Sequence, residues 1–104
     1  MKMSQIINDI QNLIKEGEVL RSKGGSTMYG YNGELQPEFT SWRLQVISTI
    51  EELGADSKLL LREIDRNKNN SYYYKNSVAN ILGVLKAALA AANKKKSDSS
   101  VKSV

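Results

Sequence analysis

The sequence contains neither histidine nor cysteine, and each absence excludes a class of chemistry. Zinc, copper, haem and iron–sulfur sites draw on imidazole or thiolate ligands, and histidine is the commonest general base near neutral pH. The lack of cysteine also excludes a disulfide framework, which small secreted domains often need to supplement a small core. We therefore expect a cytoplasmic protein that binds no metal or cofactor and is not an enzyme.

Long hydrophobic runs are also missing. The longest apolar stretch, residues 81–92, is interrupted by Lys86, and the first fifteen residues include Lys2 and Asp9 among their apolar side chains. A membrane-spanning helix needs about 20 predominantly apolar residues, and a secretory signal needs a continuous apolar segment. The sequence therefore predicts neither a membrane span nor a secretory signal.

The net charge of +4 is largely a property of the C-terminal end. Four of the fifteen basic residues and one of the eleven acidic residues lie from Lys94 onward, which leaves eleven basic and ten acidic residues before it, a net charge of +1. Residues 94–104 are rich in Lys and Ser, which predicts a disordered, solubilising basic tail rather than a nucleic-acid-binding arm. We expect a single folded domain over residues 1–93 and no nucleic-acid partner.

Apolar residues recur with helical spacing, which predicts an all-α fold, a small bundle of about four helices. The predicted helices cover residues 4–22, the segment between Pro37 and Gly54, residues 57–66 and residues 71–93. The second helix is the most clearly marked, because Pro37 suits a first turn and Gly54 suits a C-terminal cap. Its apolar face holds five residues: Phe39, Trp42, Val46, Ile50 and Leu53.

The fourth predicted helix has two distinct faces. One is an apolar stripe of Tyr74, Val78, Ile81, Leu82, Leu85 and Leu89. Beside it runs a stripe of small residues, namely Ala79, Gly83, Ala87 and Ala90. Small residues let helix backbones approach closely, which predicts tight packing within the bundle or between subunits. Leu44 and Ile47 also lie off the main apolar face of the second helix, so we expect a homo-oligomer. The helix propensity of alanine is the alternative explanation of the stripe. Tyr72 and Tyr73 are expected to cover helix ends or an interface.

Residues 23–37, KGGSTMYGYNGELQP, hold four of the seven glycines and two of the five tyrosines. Helical connections are usually shorter, so a long Gly/Tyr-rich loop is either a functional surface or a structural tie. Asn32-Gly33 is a turn dipeptide that suits a tiny hairpin within this loop. The loop between helices 1 and 2 is therefore the best candidate site.

The loop and its flanks suit a phosphorylated nucleotide-like ligand. Glycine amides and hydroxyls can cradle a phosphate, tyrosine rings can stack on a base, and basic side chains can compensate the charge. The segment lacks the GxxxxGK[ST] order of a nucleotide-triphosphatase loop and follows a helix instead of a strand. The candidate ligand-binding residues are Arg21, Lys23, Gly24, Gly25, Ser26, Thr27, Tyr29, Tyr31 and Arg43.

Two stretches, FTSWRLQVISTIEELGADSKLLLREI and SYYYKNSVANILGVLKAAL, together resemble small helical modules of bacterial anti-phage effectors and of short phage-encoded proteins that counter them. The shared marks are Trp42 at the start of an amphipathic helix, Gly54 followed by Ser57, and the Ile-Leu-Gly run at 81–83. In effectors such a module precedes a catalytic domain. For a standalone module, the resemblance implies either a partner-binding protein or a phage protein that sequesters a nucleotide second messenger.

These observations lead to two functional hypotheses of different classes. The first is a non-enzymatic phage anti-defence sponge that sequesters a phosphorylated nucleotide-type signalling ligand without turning it over. The alternative is a protein–protein interaction or oligomerisation module without a small-molecule ligand. A sponge must converge basic and aromatic groups on a concave site, whereas an interaction module needs an exposed face.

Overall fold

A computed structural model describes residues 3–23, 33–54, 57–66, 72–73 and 75–102. Regular structure in these ranges consists of four helices: α1 (Met3–Ser22), α2 (Gln36–Glu51), α3 (Ser57–Asp65) and α4 (Lys75–Lys102). The predicted all-α fold with four helices is confirmed. The hairpin predicted within the loop between α1 and α2 falls outside the described residues. None of the four helices is long and apolar enough to cross a membrane.

Helix α2 forms as its local signals predict. Pro37 lies in the first turn, and the backbone amides of Glu52 and Leu53 donate to Thr49 and Ile50 carbonyls at 3.2 and 2.9 Å to close the last turn. Gly54 follows with a φ of 77°, a left-handed conformation that favours glycine. All five residues of the predicted apolar face are buried, which places this face in the core: Phe39, Trp42, Val46, Ile50 and Leu53.

The core is built around α1, which packs most extensively against α4 and also against α2, while α3 contacts both α2 and α4. At Gly17, α1 lies against side chains of both α2 and α4. A Cβ atom on Gly17 would lie 2.5 Å from Cζ2 of Trp42 and 2.6 Å from Cδ2 of Leu82. Nearby, the Trp42 indole donates a buried 2.9 Å hydrogen bond to the carbonyl oxygen of Leu13. A glycine in α1 is therefore what allows the Trp42 ring to fill the space between the helices.

Helix α4 continues through Lys102, so its predicted end near Asn93 is wrong. Alanine and lysine are strong helix formers, and no glycine or proline interrupts the sequence after Gly83. The Lys95 ammonium donates a 2.6 Å hydrogen bond to the carbonyl oxygen of Leu53, just beyond the end of α2. The helix thus passes through the predicted boundary between the 1–93 domain and the 94–104 tail. Whether that tail is dispensable for stability stays a prediction.

Candidate functional site

Three of the nine predicted ligand-binding residues lie in the described part of the chain, namely Arg21, Lys23 and Arg43. The other six lie outside it: Gly24, Gly25, Ser26, Thr27, Tyr29 and Tyr31. Arg21 is exposed in the last turn of α1, and its guanidinium has no partner among the described residues. Lys23 directly follows α1, and its ammonium lies 2.9 Å from the carboxylate of Glu38 in the first turn of α2. The two side chains are 45% and 50% exposed, so water and salt weaken this ion pair.

The Arg43 side chain pairs with a carboxylate on a different helix from the one that Lys23 contacts. Its guanidinium lies 3.1 Å from the carboxylate of Asp65 on α3, and only 18% of its side chain is exposed. Its Nε atom is buried and has no hydrogen-bond partner among the described residues. Its place beside Trp42 in the sequence predicts a position at the start of the second helix, where the helix dipole favours an anion. Arg43 is instead the eighth residue of α2, where the helix N-terminus gives no help in binding an anion. Its described contact is structural, joining α2 to α3.

The end of the bundle beside Arg21 is closed by Tyr73. Its hydroxyl donates a buried 2.7 Å hydrogen bond to the carbonyl oxygen of Leu20 in the last turn of α1, where helix carbonyls need partners from outside the helix. Its ring packs edge-on against Phe39 with centroids 6.0 Å apart, and its backbone amide donates to the Gln36 side chain. Tyr73 was expected to cover a helix end or an interface; its hydroxyl meets the end of α1, but its burial in the core was not predicted. The predicted place of Tyr74 in the core lies outside the described residues.

The small-residue stripe of α4 lies on the surface. Gly83, Ala87 and Ala90 are exposed and Ala79 is partly exposed, and a Cβ atom added at Gly83 would meet nothing within 4 Å. We call this surface the α4 outer face and define it by six residues: Asn76, Ala79, Gly83, Ala87, Ala90 and Lys94. None of these six residues carries a carboxylate, and Ala79, Gly83, Ala87 and Ala90 in the middle of the face have small side chains or none.

Large apolar side chains are exposed at single, separate positions. Leu44 on α2 is 58% exposed, as its place off the main apolar face predicts, whereas Ile47 is partly buried and packs against the core. Leu59 on α3 and Val19 on α1 are also exposed. These three exposed residues lie on three different helices, one on each.

A polar groove between α1 and α2 was not predicted. It has a volume of about 330 Å³ and is lined by Asp9, Asn12, Leu13, Gln45, Ser48 and Thr49. The spacing of these residues in each helix places them on one face, which a sequence pattern can reveal. Pairing of the two faces cannot be seen in the sequence, because it depends on how α1 and α2 pack.

Comparison with known proteins provides no family for this chain. No family model matches the sequence, and searches of curated proteins and of solved structures found no significant match. Hypotheses about the function of this chain therefore depend on the chemistry of the described surfaces.

Proposed function

We propose that this protein is a helical interaction module that self-associates through the α4 outer face. The observation that carries the proposal is the open surface at Gly83, where nothing lies within 4 Å of an added Cβ atom. Neighbouring Ala87 and Ala90 are also exposed and carry only a methyl group as side chain. Small residues along one helix face allow a second helix to pack closely against the backbone.

The order of residues along the α4 outer face suits α4 of a second copy in the antiparallel direction. Gly83 and Ala87 lie two residues on either side of Leu85, and Asn76 and Lys94 lie nine residues on either side of it. A two-fold axis near Leu85 would therefore place Gly83 opposite the second copy's Ala87. Isologous contacts require this kind of self-complementary pattern. Antiparallel helix dipoles also attract each other.

Charge on α4 determines how such an interface should respond to salt. The segment from Lys75 to Lys96 contains five lysines and no carboxylate, so two copies of α4 repel each other. One of these charges has an anionic partner in the same chain, since the Lys86 ammonium lies 3.8 Å from the Glu18 carboxylate. Added salt screens the remaining repulsion, so we expect association to strengthen as ionic strength rises.

Sedimentation velocity of wild type, Gly83→Leu and Gln11→Leu over a concentration series up to about 1 mM tests this proposal. Leucine at position 83 meets open space in the monomer and should leave it folded while blocking close helix approach. Gln11→Leu adds the same side chain to an exposed position of α1 and serves as the control. We expect wild type and Gln11→Leu to dimerise and Gly83→Leu to stay monomeric. A monomeric wild type at every concentration, or dimerisation of all three proteins, contradicts the proposal.

Binding of a phosphorylated nucleotide-like ligand, as a sponge for a signalling nucleotide, is the second candidate function. One observation favours it: the Arg21 guanidinium is exposed and without a partner among the described residues, three positions before Gly24. Arg21 is a sharper test than Arg43, because replacing Arg43 also removes the ion pair with Asp65.

A thermal-shift screen with cyclic dinucleotides, cyclic trinucleotides and ADP-ribose derivatives would find such a ligand, since a ligand at a hundred times its Kd stabilises by about 2.7 kcal/mol. Calorimetry with any hit should then show that Arg21→Ala weakens binding by about 1.5–3 kcal/mol, the value of a charge-assisted hydrogen bond. Arg62→Ala, on the exposed surface of α3, is the matched control. A screen without a hit, or equal losses in both variants, contradicts this second function.

A further inference from the structure

The polar groove between α1 and α2 has a composition unlike that of the predicted phosphate site. Its lining comprises one carboxylate, two amides, two hydroxyls and the Leu13 side chain, and no lysine or arginine of the described chain contributes to it. A phosphate group needs basic side chains or several free backbone amides. The groove therefore does not suit an anion, and the ligand proposed for the loop does not belong here.

Asp9 gives the groove its charge. Its carboxylate is partly buried, accepts a 2.9 Å hydrogen bond from the Gln5 amide, and has no cationic partner among the described residues. One neutral hydrogen bond occupies one of about four acceptor positions of a carboxylate. A partly buried carboxylate without a counter-charge attracts cations more strongly than a fully exposed one.

The other polar side chains of the groove add hydrogen-bond acceptors around Asp9. The Gln45 amide nitrogen is directed to Ser41 at 3.5 Å, which leaves its carbonyl oxygen free to accept. The side chains of Asn12 and Ser48 have no partner within the described ranges. The carbonyl oxygen of Leu13, another lining residue, accepts the hydrogen bond from the Trp42 indole, which joins α1 to α2 beside the groove.

From this arrangement we infer that the groove binds an organic cation, with its ammonium or guanidinium group on Asp9 and its remaining N–H groups on the amide and hydroxyl oxygens. A guanidinium carries five N–H donors and an ammonium three, which matches an acceptor-rich site. The volume of 330 Å³ is about ten times the share of one liquid water. It accommodates an arginine-sized group or a short polyamine. This site goes beyond the proposed self-association, because none of its lining residues belongs to α4.

Amide-resolved NMR titration of the full chain tests the inference, with N-acetyl-arginine amide as the probe and its neutral isostere, N-acetyl-citrulline amide, as the matched control. We expect saturable shifts at the groove residues with the arginine compound and none with the citrulline compound. A parallel titration with spermidine separates the two sources of such a cation, a basic side chain of another protein and a free polyamine. Tighter binding of N-acetyl-arginine amide would identify a protein side chain as the source of the cation, and tighter binding of spermidine would identify a free polyamine.

Two variants make the result specific to the groove. Asp9→Asn removes the charge but keeps an oxygen that can accept the hydrogen bond from Gln5, so the fold should be retained. The affinity for the cationic probe should fall at least tenfold. Glu51→Gln removes an exposed carboxylate of α2 outside the groove and should leave the affinity unchanged. Equal losses in both variants, or shifts spread over all acidic residues, would overturn the inference, as would the absence of saturable binding of either cation. Self-association through α4 would stand in each of these cases.

Discussion

Gly17→Ala, compared with Gly83→Ala, tests the packing of the three long helices most sharply. Both glycines lie in helix interiors, so both substitutions gain about 0.8–1.0 kcal/mol of helix propensity. The surroundings differ: a Cβ atom at Gly17 lies 2.5 Å from the Trp42 ring and 2.6 Å from Leu82, whereas none is within 4 Å at Gly83. Trp42 and Leu82 are 3% and 2% exposed, so neither can move into solvent without disturbing the core.

The size of the effect follows from these distances. Overpacking of a well-packed core costs about 1–3 kcal/mol, and because the propensity gain is common to both variants, this cost is the expected difference between them. For a domain of this size, about 1 kcal/mol shifts Tm by roughly 4–8 °C. Thermal and urea unfolding below the concentration of self-association should place Gly17→Ala below wild type or level with it, and Gly83→Ala above. Equal stability of the two variants would refute the close approach at Gly17.

Two further contacts give predictions for stability. Lys95→Met should lower the free energy of unfolding by about 1.5 kcal/mol, the lower end for a charge-assisted hydrogen bond, because Lys95 is partly exposed. The exposed Lys96→Met should have little effect. Urea titration checks this, and equal values would show that the tail is not attached at Lys95. Tyr73→Phe should cost about 1–2 kcal/mol, because a buried α1 carbonyl loses its partner. Tyr72→Phe, at a 51% exposed residue, should cost less, and the reverse order in thermal unfolding would contradict the assigned hydrogen bond.

Local signals allowed the helices to be predicted, and α2 shows why. Three signals mark this helix: Pro37 in its first turn, the helical spacing of apolar residues that begins at Phe39, and Gly54 after its end. Each signal acts within one or two turns, so the local sequence determines where the helix forms. The end of α4 was not predicted, because the polar composition of residues 94–102 indicates disorder while the same lysines are good helix formers. Lys95 is held by a contact with α2, which no local pattern contains.

The candidate site was harder to predict because it depends on contacts between helices. Arg43 is close to the loop in sequence, yet its charge is directed to Asp65, twenty-two residues later. The small-residue stripe through Gly83 was predicted beside the apolar stripe of α4 and was expected to pack closely, and its open surface became visible only once the helices were placed. The groove beside Asp9 required knowledge that α1 and α2 pack together, and composition carried no signal for it.

The central claim, self-association through the α4 outer face, is tested most directly by disulfide cross-linking, since the chain has no cysteine of its own. Gly83→Cys and Ala87→Cys proteins, distinguished by mass, would be mixed and oxidised mildly under native conditions. An antiparallel pair centred near Leu85 predicts that the mixed 83–87 dimer forms faster than either the 83–83 or the 87–87 dimer. Equal rates for all three pairings, or no cross-linked dimer at concentrations where wild type associates, would contradict the account.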